Sequence, residues 1–235
     1  MHISRVKASA RAAAAVLALS CAGLAGPVQA ATPGVSFGSA HSFAHPLHGF
    51  SGDSNWGGYI AQGSFGSITG SWRMPSVSCN TYDDLFAPWI GIDGYGSQTV
   101  EQTGVAVDCS NGYPEYAGWY EMYPAAPVYF SNAVSPGDSF SASVVDNGGG
   151  SYSVRLTDNT KGWTHTTQQY LNGDDISAEA VVESPTGSYP SFSRLDFSGI
   201  TVNGEPFSYY NPQPIDSGQY TETPLNGGSF SIIPG

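Results

Sequence analysis

Three short segments of the chain place carboxylate or amide side chains among aromatic and small residues, a pattern suited to acid–base chemistry. The first is GWYEMYP, residues 118–124. If this segment is a strand, alternate side chains share a face, so Glu121 is flanked by Trp119 and Tyr123. Either the three residues form an aromatic-walled cleft with a carboxylate in its floor, or they form an exposed cross-strand ladder. The segment alone does not separate these interpretations.

The second segment, SAEAVVE at residues 177–183, contains two glutamates on one strand face. At the rise of a strand, Glu179 and Glu183 lie roughly 13 Å apart, which is too far for them to share a proton. At most one of them therefore carries out the central chemistry. The alanine and valine residues around them favour partial desolvation, which raises a carboxyl pKa and suits a general acid or base.

The third segment, VEQTGVAVD at residues 100–108, places Gln102 on one face with Gly104 and Ala106, while Glu101 occupies the opposite face. The small residues leave space above the sheet beside Gln102, to be filled by a neighbouring side chain or by a ligand. Glutamine is a poor nucleophile without a useful pKa. On this strand alone, a hydrogen-bonded structural role is the simpler interpretation.

Other catalytic arrangements fit the sequence poorly. A Ser-His-Asp triad would have to use His165, and no G-x-S-x-G segment is present. The sequence has neither H-E-x-x-H nor a Cys/His spacing typical of zinc sites. His41, His45 and His48 lie around Pro46 without an acidic or cysteine partner, so we interpret them as part of a polar leader. We therefore expect no metal ion and no cofactor.

The candidate catalytic residues lie in a sequence whose pattern predicts β-strands throughout. From residue 51 onward, short alternating runs are separated by Gly, Asn, Asp, Ser and Pro. The clearest hairpin joins SFSASVVD to SYSVRLTD through NGGG. No stretch predicts a long amphipathic helix. The regular spacing of the strands predicts one all-β domain over residues 51–235, built as a sandwich or a barrel.

The N-terminal region differs from the rest of the sequence. Residues 1–30 have a cationic start, an alanine-rich apolar run and a small-residue ending, as in a secretory signal peptide. A lipid anchor at Cys21 is a weaker alternative, because the apolar run continues past it. Residues 31–50 are rich in Gly, Ser, His and Pro, and we interpret them as a flexible leader or short pro-segment. These features predict a secreted, extracellular protein.

Loss of the signal segment would leave a strongly acidic chain. Residues 1–30 hold three of the seven Lys and Arg but none of the nineteen Asp and Glu, so the remainder has a net charge of −15. This sign disfavours nucleic acids and anionic membranes as partners. Cys79 and Cys109 remain as a pair, which predicts one disulfide in an oxidising compartment. A catalytic cysteine is the weaker alternative, since neither residue has a cysteine-protease signature around it.

Five segments resemble, in matching order, those of the glutamic peptidases, also called eqolisins. They are SNWGGYI (54–60), PWIGIDG (88–94), EQTGV (101–105), GWYEMYP (118–124) and SAEAVVE (177–183). The resemblance implies an antiparallel two-sheet β-sandwich of the concanavalin or lectin type. It also implies a secreted, pepstatin-insensitive endopeptidase that cleaves polypeptides at acidic pH.

The same resemblance assigns roles to residues. It implies that Gln102 and Glu179 are the catalytic pair, and that five further residues bind substrate or lie near the cleft: Trp56, Trp89, Trp119, Glu121 and Tyr123. Two positions depart from the family, which usually has an apolar residue at 101 and a large apolar or aromatic one at 180. We expect Glu101 to face away from Gln102 and to affect solubility, and Ala180 to widen a substrate pocket.

Two alternatives belong to other functional classes. A glycoside hydrolase on a similar sandwich would use Glu121 and Glu179 as its carboxylate pair, with carboxyl groups about 5–5.5 Å apart if it retains configuration. A secreted carbohydrate-binding module would bind through its Trp and Tyr side chains. Neither gives Gln102 a role. For each of these functions we expect a monomer.

The scarcity of cations leads to a prediction about acid tolerance. Carboxylates held in native ion pairs are what acid usually disrupts, and few of the carboxylates in this chain can have such a partner. Protonation also relieves repulsion among the acidic groups. The melting temperature of the secreted form should therefore not fall steeply as the pH is lowered below about 4. Calorimetric scans over a pH series measure this, and a steep fall would contradict it.

Overall fold

The computed structural model describes residues 55–235, which form short β-strands and one 3₁₀ turn at Phe207–Tyr210. The predicted signal segment 1–30 and leader 31–50 lie outside the described residues. In chain order the strands are β1 Trp56–Gln62, β2 Ser67–Arg73, β3 Leu85–Asp93, β4 Val100–Asp108, β5 Glu115–Tyr123, β6 Val128–Tyr129, β7 Ser139–Asp146, β8 Ser151–Asp158, β9 Trp163–Tyr170, β10 Ser177–Glu183, β11 Leu195–Val202, β12 Glu205–Pro206, β13 Gln213–Ile215, β14 Tyr220–Glu222 and β15 Phe230–Pro234. Within this part of the chain, no helix has the length and apolarity needed to cross a membrane.

The strands build two antiparallel sheets. The first has the order β13-β1-β10-β3-β4-β5-β6, and the second has the order β14-β15-β11-β2-β7-β8-β9 with β12 beside β11. The predicted hairpin is β7–β8, with Val144 opposite Val154. The two-sheet antiparallel β-sandwich is therefore confirmed.

The main hydrophobic core lies between the sheets. The first sheet contributes alternate residues of β3 and β4, such as Ile90 and Val105, and the second contributes large aromatic side chains. Trp72 and Phe140 on adjacent strands of the second sheet stack with ring centroids 6.1 Å apart. Period-2 alternation of the strands therefore supplies the core, as the sequence pattern predicts.

The first sheet is buried on its outer face as well. A second apolar cluster covers that face, and all residues of β3, β4 and β10 are buried. This cluster is built largely from tryptophans and small aliphatic side chains: Trp56, Ile60, Ala87, Trp89, Ala106, Trp119, Val181 and Ile215, among others. Polar side chains on the outer face of these strands are therefore removed from solvent.

The predicted disulfide is present. Cys79, in the connection between β2 and β3, is bonded to Cys109, directly after β4.

Only two ion pairs occur among the described residues, Lys161 with Asp138 and Arg194 with Asp196. The structure thus bears out the expectation that few carboxylates have a cationic partner.

Candidate active site

The polar side chains of the outer face stand in one row across four strands. Strand register places Glu179 of β10 beside Gly91 of β3, Gly91 beside Gln102 of β4, and Gln102 beside Glu121 of β5. Paired residues on neighbouring strands point to the same face. The Cα atoms of Glu179 and Gln102 are thus two strand spacings, or about 10 Å, apart. Gly91 between them contributes no side chain.

Gln102 is oriented by Glu121. The Gln102 Nε2 donates a hydrogen bond of 2.8 Å to the Glu121 Oε2, and both side chains are fully buried. This bond fixes which end of the amide faces Glu121 and leaves a second N–H of the same nitrogen available as a donor. The Gln102 Oε1 is buried and has no hydrogen-bond partner within residues 55–235.

Glu179 is a buried carboxyl group with a weakly held oxygen. Its Oε1 accepts a long 3.4 Å hydrogen bond from the backbone N–H of Tyr95, and its Oε2 has no hydrogen-bond partner among the described residues. Burial raises the pKa of Glu179 well above its ordinary value, although the hydrogen bond from the Tyr95 N–H acts in the opposite direction. A carboxyl group of this kind is a stronger base when ionised than one exposed to water.

Glu183 accepts a hydrogen bond from a tryptophan and does not extend the polar row. The Trp89 Nε1 donates to its Oε2 at 3.0 Å, and the Asn55 Nδ2 donates to its Oε1 at 3.2 Å. Trp56 packs edge-to-face against Trp89, with ring centroids 5.0 Å apart. Burial raises the pKa of Glu183 well above its ordinary value, and the indoles of Trp56 and Trp89 offset this only in part.

The space predicted beside Gln102 is occupied by indole rings. A Cβ atom at Gly104 would lie 2.7 Å from the Trp89 Cβ and 3.1 Å from the Trp119 Cζ2, so both tryptophans pack over this glycine. A neighbouring side chain, and not a ligand, therefore fills the space on that side of Gln102. On the other side, Gly91 adds no side chain of its own between Gln102 and Glu179, and the edge of the Trp89 ring borders this position.

Comparison with known proteins agrees with this geometry. The family model described as the peptidase A4 family matches residues 54–219. The chain belongs to the peptidase A4 family. These are the glutamic peptidases, or eqolisins, so the expected enzyme class is confirmed. No curated protein sequence matches the chain.

Solved structures support the same assignment of this peptidase. Scytalido-glutamic peptidase, crystallised with a transition state analogue inhibitor, is 28% identical, with a TM-score of 0.66 over 78% of this chain and 99% of that one. SCP-B, an eqolisin in complex with the tripeptide Ala-Ile-His, is 26% identical, with a TM-score of 0.61 and the same coverage. Aspergilloglutamic peptidase from Aspergillus niger, 24% identical with a TM-score of 0.55 over 65% of this chain and 99% of that one, shares the fold.

The structure brings the predicted site residues of the peptidase to one face of the first sheet. Trp56, Trp89 and Trp119 lie in the outer apolar cluster, and the half-buried Tyr123 packs against it at the end of β5. The three indoles are fully buried. They therefore pack beside the polar row on the same face, and Glu183 holds Trp89 through a hydrogen bond. Sequence reasoning missed Gly91, which lies within the PWIGIDG segment, and the backbone N–H of Tyr95, the residue after that segment.

Two expectations about the departures from the family pattern are wrong. Glu101 does face away from Gln102, but it is fully buried and so cannot affect solubility. Burial, with the charges of Asp93 and Asp175, raises the pKa of Glu101 to about 9. Ala180 lies in the core between the sheets, opposite Ile90, and does not line the cleft. Strand alternation is the reason, since residue 180 must face away from Glu179.

The raised pKa of Glu183 predicts that stability declines toward neutral pH. The folded protein keeps this proton above the ordinary pKa of 4.5, whereas the unfolded chain releases it there. The stabilisation is complete below that pH and is lost as the pH rises toward the folded-state pKa. Replacing Glu183→Gln should remove up to about 1.4 kcal/mol per pH unit from this decline in unfolding free energy.

Urea unfolding followed by tryptophan fluorescence across a pH series measures the effect, in a Gln102→Ala background that limits self-digestion. Glu205→Gln, at an exposed glutamate, is the matched control and should retain the parent slope. An unchanged slope in the Glu183→Gln protein would show that this carboxyl group is not held protonated by the fold.

Proposed function

We propose that this glutamic peptidase is a secreted endopeptidase, active at acidic pH and insensitive to pepstatin, that uses Glu179 and Gln102 as its catalytic pair. The observation that carries the proposal is the pair of buried oxygens without partners, Gln102 Oε1 and Glu179 Oε2, on either side of Gly91. A water molecule above Gly91 can donate one hydrogen to each of them. Polypeptide substrates follow from the family.

The reaction then needs no nucleophilic side chain. Ionised Glu179 takes a proton from this water as the water attacks the scissile carbonyl carbon. The free N–H of the Gln102 amide donates to the oxyanion that develops on the carbonyl oxygen. Glu179, now protonated, gives its proton to the leaving amine as the carbon–nitrogen bond breaks. Only the ionised carboxylate can accept the first proton. Because burial raises the pKa of Glu179, this form is a minor fraction of the enzyme in acid, and kcat/KM should increase as the pH rises toward that pKa.

Glu121 serves as a positioning residue in this scheme. Its hydrogen bond to the Gln102 Nε2 keeps the amide nitrogen from exchanging places with the amide oxygen. An amide has no pKa in the accessible range, so Gln102 stays a hydrogen-bond donor in acid. A carboxylic acid at the same position would lose its hydrogen on ionisation.

The glycoside hydrolase alternative is not supported by the arrangement of the row. Glu179 and Glu121 lie three strand spacings apart, or about 14 Å between Cα atoms. Gln102 stands between them, and its amide is bonded to Glu121. A retaining pair needs carboxyl groups about 5–5.5 Å apart, facing one another across a sugar.

Substitution of the proposed pair should abolish most of the activity. With denatured protein as substrate at acidic pH and pepstatin present, Gln102→Ala should lower kcat by about 10²–10³-fold through loss of the oxyanion donor. Glu179→Gln should lower it by about 10²–10⁴-fold through loss of acid–base catalysis. The exposed residues Gln62 and Glu205 supply matched controls, as Gln62→Ala and Glu205→Gln, with unchanged rates. Near-parental kcat in either folded site variant refutes the assignment, and release of sugar from polysaccharide instead would favour the hydrolase alternative.

A methyl group at Gly91 tests where the water binds. The added Cβ would lie 3.0 Å from both the Gln102 Cβ and the Trp89 Cζ3, within the gap between the catalytic side chains. We expect Gly91→Ala to reduce kcat/KM by about 10–100-fold, because small displacements of reacting groups are costly. Gly66→Ala is the control, since only the Asn203 Oδ1, at 3.9 Å, lies within 4 Å of its added Cβ. Full activity of a folded Gly91→Ala protein would place the water elsewhere.

A further inference from the structure

Three carboxylates outside the row of Glu179, Gln102 and Glu121 converge near the end of β3. They belong to Asp93 at the end of β3, Glu101 in β4 and Asp175 in the β9–β10 connection, and each offers an oxygen within 4.8 Å of the others. Glu101 reaches this cluster because it points to the face of β4 opposite to Gln102.

Glu101 is the member of the cluster that needs an explanation. Its side chain is 0% exposed, and neither carboxylate oxygen has a hydrogen-bond partner within residues 55–235. Burial of a carboxylate is costly unless a cation, a donor or a proton compensates it. A polar group that is fully buried, partnerless and directed at two other carboxylates indicates a missing positively charged ligand.

The oxygens surround a space that a glycine leaves open. A Cβ atom placed on Gly173 would lie 2.4 Å from the Tyr152 Oη and 3.0 Å from both the Asp93 Oδ2 and the Glu101 Oε1. Three oxygens from three different strands thus face the same small volume. Any larger residue at position 173 would occupy it.

The other two carboxylates are held in place by neutral donors. The Asp93 carboxylate accepts backbone N–H bonds of 2.8–2.9 Å from residues 174, 175 and 176, which ties the β9–β10 connection to β3. The Asp175 Oδ1 accepts a 2.8 Å bond from the Tyr152 hydroxyl. The cluster is therefore organised before any ligand arrives.

The described part of the chain supplies no cationic side chain to this cluster. Lys161 pairs with Asp138, and Arg194 pairs with Asp196. Arg73 donates to the carbonyl oxygen of Gly137, and Arg155 donates to the Thr157 hydroxyl. The negative charge of the cluster is thus balanced either by a proton on Glu101 or by a cation from solution that displaces this proton.

We propose that Asp93, Glu101 and Asp175 form a binding site for a hard divalent cation, with Ca²⁺ preferred. Carboxylate and hydroxyl oxygens are the donors that Ca²⁺ and Mg²⁺ select, whereas zinc sites normally include nitrogen or sulfur. Two oxygens bound to one Ca²⁺ at roughly 2.4 Å can be up to about 4.8 Å apart, which agrees with this cluster. The half-buried Asp175 leaves a side through which water can complete the coordination. Ca²⁺ accepts such an irregular shell more readily than Mg²⁺.

The sequence alone predicts no metal site because the three residues form no local motif. They lie on separate elements. Sheet pairing brings β3 beside β4, and backbone hydrogen bonds to Asp93 hold the β9–β10 connection against them. Their position gives the cation a structural role: it would join β3 and β4 to the connection that leads into β10. Gln102 follows Glu101 directly, and β10 carries Glu179, so the site would stabilise the strands that hold the catalytic pair.

Thermal unfolding of the protein at about neutral pH tests the proposal. After EDTA treatment, Ca²⁺ at one hundred times its Kd should raise the melting temperature by about 5–10 °C, and Mg²⁺ should raise it less. Glu101→Gln and Asp175→Asn should lose the Ca²⁺ response, and the exposed control Glu205→Gln should keep it. No response in the parent protein, or a full response in Glu101→Gln, would overturn the proposal.

Terbium luminescence gives a second readout that does not depend on stability or on peptidase activity. The Tyr152 hydroxyl donates a hydrogen bond to Asp175, so the tyrosine ring is close enough to transfer excitation energy to a Tb³⁺ ion bound in the cluster. The parent protein should show Tb³⁺ emission that Ca²⁺ displaces, and Asp175→Asn should reduce it at least tenfold. Emission that persists in the folded Asp175→Asn protein, or that Ca²⁺ does not displace, would place the ion elsewhere.

Discussion

A shortage of cations governs the polar interior of this protein. The described chain buries several carboxylates, yet only one of these, Asp138, pairs with a Lys or Arg side chain. Neutral donors take their place: the Gln102 amide for Glu121, the Trp89 indole and the Asn55 amide for Glu183, and backbone N–H groups for Asp93. Such donors keep their hydrogens at any pH compatible with folding. The same design suits a catalytic site in which an amide, and not a charged group, stabilises an oxyanion.

The fold and the catalytic row were largely predictable from the sequence. Alternation within β4, β5 and β10 assigns Gln102, Glu121 and Glu179 to definite faces of their strands. Alternation also places the Ala180 side chain on the face opposite to Glu179. The expectation that Ala180 widens a substrate pocket therefore conflicted with the same strand alternation that places Glu179. What alternation cannot provide is strand order. The row exists because β3 separates β10 from β4, and this depends on pairing between segments far apart in the chain.

Burial was harder to predict than orientation. The face of Glu101 follows from its neighbour Gln102, but its complete burial depends on the connection around Gly173, which arrives from a distant part of the sequence. Glu183 presents the same difficulty, because its indole partner lies on β3 and its amide partner immediately precedes β1. The short pattern around a carboxylate indicates that it is partly desolvated, and the register of the whole sheet determines what compensates it.

The position of β10 between β1 and β3 has a consequence for the folding of the active site. The meander β3–β4–β5 consists of consecutive strands, so the bonded Gln102 and Glu121 can assemble from one local segment. Glu179 joins them only when β10, much later in the chain, inserts between β1 and β3. With Glu179 and Gln102 as the proposed catalytic pair, proteolytic activity requires that β10 has joined the sheet. A partly folded molecule, whose strands are still accessible to proteolysis, therefore lacks the complete pair.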